Sequence, residues 1–369
     1  PHFILKTLYA SNLARQAIFA VAAEVDLDRP RDFLDRIAHH APDALAGIEH
    51  LDPLAQVARA LILMKPKSTL GALYGTCPDG LLGAFSRFGC MPLYGSEIYR
   101  QTFDIFARSE NRGRAKALGQ LEGQLRSEHI VVAAGLDDVL QHRAVLERTK
   151  PAEVPALNAF ARMIVDLCDA TPQAIKESLD SLPTGTKGVK IGEWAQSWMG
   201  RQVRLPCPLP IADDDPDLRV CLGAEQASLG RRFRNCAESR MSYAFFGERI
   251  LVEWIRPGEN AVIELALVQS GAEARYSCEQ VVGPRNRRVK PAVAAAIRER
   301  FDQLGILYQA SPFPAAEQEG LQALLDHFPN APFADYHARR VDDDDAEGEN
   351  AEIARMLDEL TVDMAEGAA

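Results

Sequence analysis

Residues 249–282 read RILVEWIRPGENAVIELALVQSGAEARYSCEQVV, and this stretch decides the fold. It holds three short runs rich in Val, Ile, Leu, Trp and Tyr, at 249–256, 261–268 and 276–282. Pro257-Gly258-Glu259-Asn260 and Ser270-Gly271-Ala272-Glu273 separate them. Short β-prone runs divided by Gly- and Pro-bearing turns predict an antiparallel meander of three strands. A sheet of that size needs a helix against one face to be stable. The flanks supply two candidates, a helical pattern from 224 to 233 and a second that Pro291 opens and that runs to Leu304. The expected unit is helix, three-stranded antiparallel meander, helix, over 219–310.

Moving outward, 1–187 has the opposite periodicity. Apolar residues recur at three- and four-residue spacing in Leu5, Leu8, Leu13, Ile18 and Val21, and again in Leu54, Val57 and Leu61, as helices with one buried stripe require. Asp52-Pro53 and Thr171-Pro172 place a capping side chain before a proline whose missing N–H costs nothing at a helix start. No repeat of fixed period is present. Residues 188–218 read as a linker with one short helix (191–199) and a proline-rich, acidic run from Pro206 to Pro216. A further helix is expected within 311–340, and 341–369 reads as an acidic, largely disordered tail. The fold class is therefore mainly α with a small α+β module: an N-terminal multi-helix array followed by helix, meander and helix.

The formal charge of −11 is concentrated in that tail, where eleven acids face one base, Arg355. Residues 219–300 run the other way, with fourteen basic residues against nine glutamates. No apolar run approaches the roughly 18–20 residues of a membrane span, so no membrane partner is expected. The seven cysteines are scattered and include no C-x-x-C pair, which argues against disulfides or a structural zinc and for reduced thiols in a cytoplasm. No phosphate-loop or dinucleotide fingerprint occurs. Neither a cofactor nor a metal is expected.

The chemistry-bearing side chains gather in the module. Leu229-Gly230-Arg231-Arg232-Phe233-Arg234-Asn235-Cys236 closes its first helix, with Tyr243 beyond; Glu264 interrupts the second strand; Gln280 lies in the third; Gly283-Pro284-Arg285-Asn286-Arg287-Arg288 follows. This order resembles the PcfJ-like domain, a family named for a protein of a conjugative plasmid and otherwise found in mobile elements. The matching positions are Gly230, Asn235, Cys236, Arg256, Glu264, Gln280, Gly283 and Asn286, within 70–85 residues. The resemblance implies a mobile-element or conjugation-associated setting and supplies no reaction.

Each candidate has two readings. An unpaired buried carboxylate is costly, so Glu264 is either catalytic or a structural ion pair, and Arg256 is its expected partner. Cys236 is either a nucleophile activated by nearby arginines or a packed thiol; none of the eight histidines lies between 143 and 326. Gln280, Asn235 and Asn286 can bind a polar ligand through their amides, together with Arg234 and Arg256, or serve turns. Arg231, Arg232, Arg285, Arg287, Arg288 and Lys290 form the electrostatic footprint of nucleic-acid binding, a solvated patch, or a dock for the acidic tail.

Three functions follow. The first is a mobile-element accessory protein that binds nucleic acid, or a partner that handles it, through the arginine-rich module. The second is an enzyme of unknown reaction with a pocket at Cys236, Arg256, Glu264, Gln280 and Asn286. The third is a regulatory interaction protein whose acidic tail mimics nucleic acid. Oligomeric state is not legible.

Overall fold

A computed structural model describes residues 7, 10–26, 28–95, 97–183, 190–235, 237–256 and 259–308. The chain divides into two compact units, Pro1–Ser197 and Trp198–Ala369. The helix expected in 311–340 and the acidic tail lie outside the described residues.

The first unit is helical. Its helices are α1 (Asn12–Glu24), α2 (Pro30–His40), α3 (Pro53–Leu63), α4 (Pro66–Tyr74), α5 (Leu81–Ser86), α6 (Glu97–Ala107), α7 (Arg112–Gln120), α8 (Ser127–Gly135), α9 (Arg143–Arg148), α10 (Val154–Cys168) and α11 (Pro172–Asp180). Among the described residues one more, α12 (Ile191–Met199), reaches the boundary. Both expected proline starts are capped: Asp52 accepts from the Ala55 N–H at 3.0 Å and Thr171 from the Ala174 N–H at 3.1 Å. Phe33, Ile37, Leu70, Leu81, Phe85 and Tyr99 are buried in its core. Among the described residues no helix is long and apolar enough to cross a membrane.

The second unit holds a five-stranded sheet in sequence order: β1 (Leu218–Cys221), β2 (Arg249–Trp254), β3 (Ala261–Ser270), β4 (Glu273–Val282) and β5 (Leu307–Tyr308). The three expected strands are its centre. Two more were too short to read from periodicity: β1 pairs antiparallel with β2, and the two-residue β5 pairs parallel with β4. Gly271, at φ +64°, lets β3 turn into β4 through two residues, with Ser270 opposite Glu273.

Helices cover both faces. On one side α13 (Gly223–Phe233) sets Leu229 and Phe233 on Cys221, Leu251, Val262 and Val282. On the other, α15 (Pro291–Leu304) sets Ile297 and Phe301 against Ile250, Val252, Trp254, Ile263 and Val281. A short helix, α14 (Met241–Phe245), lies between α13 and β2 in the chain. Coverage of both faces explains why β2 is buried along nearly its whole length instead of alternating.

The proline-rich run read as linker belongs to this unit. Ile211 is buried and Leu205, Cys207 and Leu209 pack on the sheet core. Asp215, buried, accepts from the N–H groups of Asp217 and Leu218 and pairs with Arg300 of α15. Burial raises the Asp215 pKa, but Arg300 and the two N–H groups outweigh it and hold the carboxyl below its ordinary value.

Gly223 begins α13 at φ +49°, and a Cβ there would lie 2.8 Å from the backbone oxygens of Gly200 and Gln202. A left-handed residue with a side chain costs about 1–2 kcal/mol, before any backbone displacement. Gly223→Ala should lower stability by about 2 kcal/mol or more in urea denaturation followed by tryptophan fluorescence; an unchanged midpoint would refute the account.

Candidate functional site

Two glutamates lie on the α13-covered face of the sheet, and their surroundings differ. Glu253, 1% exposed, sits opposite Arg219 of β1. Arg232 of α13 donates to both of its oxygens, with Nη2 2.9 Å from Oε2, and Arg219 adds a bond to Oε2. Burial works to raise the Glu253 pKa; Arg232 and Arg219 reverse that and hold it below the ordinary carboxylate value. Both oxygens are filled.

Glu264, 8% exposed, lies one step along on β3, between Leu251 and Gln280. Arg249 Nη1 donates to Oε1 at 2.9 Å and Arg240 Nη1 lies 3.8 Å from the same oxygen. Among the described residues nothing meets Oε2. The expected partner was Arg256, and this is corrected. The register puts Leu251 opposite Glu264, so Arg249, two residues earlier on β2, shares its face. Arg256 lies beyond the other end of β2 and forms a two-bond pair with Asp217, at 2.8 and 2.6 Å.

A β-bulge brings Gln280 to Glu264. Leu265 faces Cys278 and Glu264 faces Gln280, which leaves Glu279 with no opposite residue. The extra residue turns Gln280 toward the carboxylate; regular pairing would have placed Glu279 there.

Asn235, Ala237, Arg240, Leu251, Val262, Glu264, Gln280, Val282 and Asn286 line a cleft of about 40 Å³. Four expected site residues thus meet: Asn235, Glu264, Gln280 and Asn286. Asn235 accepts from the Ala237 N–H at 3.1 Å, leaving its amide nitrogen open. The side-chain amides of Gln280 and Asn286 have no hydrogen-bond partner among the described residues. Of the remaining catalytic and ligand candidates, Cys236 lies outside the described residues, Arg256 lies away from the cleft, and Arg234 is exposed and does not line it.

Two turns carry the cationic rim. The Arg234 and Asn235 N–H groups both bond to the Gly230 carbonyl as α13 ends, with Arg234 at φ +51°. The Gly283 N–H bonds to the Arg287 carbonyl at 2.7 Å, with Arg285 at φ +59° and Asn286 at φ +57° between them. The 284–286 turn packs against α13, so the two arginine groups are neighbours. Arg231, Arg234 and Arg285 are exposed and make no ion pair among the described residues. Of the expected nucleic-acid set, Arg232 pairs with Glu253 and the exposed Lys290 pairs with Glu259 at 3.3 Å. Arg287 and Arg288 are exposed and have partners of their own.

Sequence reasoning missed Arg240 and Arg249, which hold Glu264, and the aromatic surface near them. The guanidinium carbons of Arg240 and Arg249 lie 5.6 and 5.9 Å from the Tyr243 ring centroid. Tyr243 is 39% exposed and Phe246 62%.

The first unit has a larger cleft of about 1020 Å³, lined by residues including Arg126, His129, Glu147, Arg148, Glu153 and Lys190. Much of its charge is internally matched: Arg148 bonds to Glu147 and to the Pro183 carbonyl, and Glu153 accepts from the Lys150 N–H. Burial, then Arg126, lowers the His129 pKa. Among the described residues no group of three His, Cys, Asp or Glu could hold a metal ion. Searches of protein-family models, curated proteins and solved structures found no match to this chain.

Two predictions follow from this geometry. Replacing Arg219 and Arg232 together by Ala leaves Glu253 buried and unpaired, at a cost of about 3 kcal/mol near pH 7. Because the native pKa is depressed, the stabilisation exists at neutral pH and disappears as pH falls through the folded-state pKa. Wild type and variant should therefore converge in urea midpoint on acidification, and a gap that does not depend on pH would contradict the assignment. Arg285→Gly, by contrast, relieves a left-handed residue and should raise thermal stability by up to about 1 kcal/mol. A lowered Tm would show that the Arg285 side chain stabilises the turn.

Proposed function

We propose that the second unit binds nucleic acid, with phosphates along the Arg231, Arg234 and Arg285 rim and one polar group of the ligand in the cleft. The observation that carries this reading is the half-bonded Glu264 carboxylate, facing open amides beside guanidinium groups that have no ion-pair partner among the described residues. Glu264 keeps one oxygen without a partner among the described residues, and the half-buried side-chain amides of Gln280 and Asn286 have none either; open donors and acceptors gathered at one cleft favour a ligand over a purely structural network. Arginine suits phosphate through its planar fork of donors. The exposed Tyr243 and Phe246 offer stacking surfaces that single-stranded nucleic acid uses without regard to sequence.

The PcfJ-like reading, with its mobile-element or conjugation-associated role, belongs to the same proposal. Its support is the resemblance itself, together with the meeting of Asn235, Glu264, Gln280 and Asn286 at one cleft while Gly230 and Gly283 anchor the two rim turns. A cytoplasmic location fits the six described cysteines, which form no disulfide with one another. The enzyme reading loses Arg256 to Asp217, and the tail-mimic reading concerns residues outside those described.

The test is fluorescence anisotropy of a labelled single-stranded oligonucleotide across a salt series. Three phosphate contacts give a slope of log K against log salt of about −2. Changing Arg231, Arg234 and Arg285 together to Glu should remove that slope and weaken binding at least tenfold. Absent or salt-insensitive binding by the unaltered protein overturns the proposal.

A further inference from the structure

The cleft specifies more than an anion. We propose that it takes the 2′-hydroxyl of a ribose, so that the module prefers single-stranded RNA to DNA of the same sequence; this rests on the nucleic-acid reading above.

Size sets the first limit. Small-molecule sites span roughly 300–1,000 Å³, whereas this cleft has about 40 Å³. Only one small group of a larger ligand can enter, and a whole nucleobase cannot.

Chemistry sets the second. Glu264, ion-paired to Arg249 through Oε1, is a carboxylate that only accepts. Whatever meets Oε2 must therefore donate. Phosphate oxygens only accept and would be repelled, so the phosphate belongs on the arginine rim. The opposite wall has the complementary need: the Asn235 oxygen already accepts from the Ala237 N–H, and its amide nitrogen, which can only donate, has no partner among the described residues. Gln280 and Asn286 can each donate or accept. The group that fits must give one hydrogen bond to Oε2 and take at least one from the amides. An exocyclic base amine donates but scarcely accepts, which leaves Asn235 unmet. A hydroxyl does both. Within a polynucleotide chain the internal hydroxyl is the ribose 2′-OH, the group by which a protein separates RNA from DNA, and it sits beside the backbone phosphates that the rim would hold.

The test uses the full chain and three labelled oligonucleotides of one sequence: RNA, DNA and 2′-fluoro RNA. The 2′-fluoro strand keeps the ribose-like pucker and a small 2′ substituent but cannot donate to Oε2. RNA should bind at least tenfold more tightly than both others at fixed salt. Glu264→Gln, checked for folding by thermal melting, should bring the RNA-to-DNA ratio close to one. Should that variant not fold, the 2′-fluoro comparison on the unaltered protein still decides. Equal affinity for all three strands with a normal salt slope overturns this inference and leaves the nucleic-acid reading standing. If 2′-fluoro RNA matches RNA and both exceed DNA, strand geometry is being read and the hydroxyl assignment fails. No binding to any strand removes both readings together.

Discussion

A carboxylate covered by a helix has to be paired, and this requirement organises the second unit. The sheet puts two glutamates under α13, where an uncompensated charge would cost several kcal/mol. Glu253 is met on both oxygens by Arg219 and Arg232, from a strand and from the covering helix. It ties α13 to the sheet, and its hydrogen-bonding capacity is used up. Glu264 has the same burial problem, but both of its arginines approach one oxygen. The comparison is internal to one sheet face, on which Glu253 is 1% and Glu264 8% exposed. Glu253 is a structural clamp; Glu264 is held in place with half its capacity open.

The rest of the site depends on departures from regular geometry. The bulge at Glu279 sets Gln280 opposite Glu264. Arg234, Arg285 and Asn286 adopt left-handed backbone, where glycine would be easiest and arginine is strained. Strain at one turn is common; three such residues in two turns that meet beside one cleft are better explained by what their side chains do. The same strained turns set Asn235 and Asn286 facing the cleft and leave Arg234 and Arg285 in solvent.

How much of this was readable follows from which forces are local. The helix from Pro291 to Leu304 and the central strands were legible because proline starts, apolar spacing and Gly-bearing turns are encoded within a few residues. Glu264 was legible as a carboxylate in an apolar strand. Its partner was not, because choosing Arg249 over Arg256 needs the register of β2 against β3, which a one-residue slip would reverse. Glu253 carried the same signal within RILVEW, yet its importance depends on Arg219 and Arg232 arriving from two other elements. The strands β1 and β5, of four and two residues, have too few side chains to show a period. The proline-rich run looked like a linker by composition, and only the contact of Ile211 and Asp215 with the sheet and α15 shows that it is core.

The helix α13 joins these levels. At its start Gly223 admits close approach to the 200–202 backbone; along its length Leu229 and Phe233 bury the sheet face; from its last turn Arg232 secures Glu253. Its end therefore has little freedom, and Asn235, one residue past the left-handed Arg234, is fixed against the cleft by bonds to Gly230 and Ala237. A ligand group entering there would meet donors and acceptors already in position, with little side-chain ordering still to be done on binding. The clamp at Glu253 thus bears on the cleft indirectly: by holding the helix to the sheet, it keeps Glu264 and Asn235 lining a single cleft.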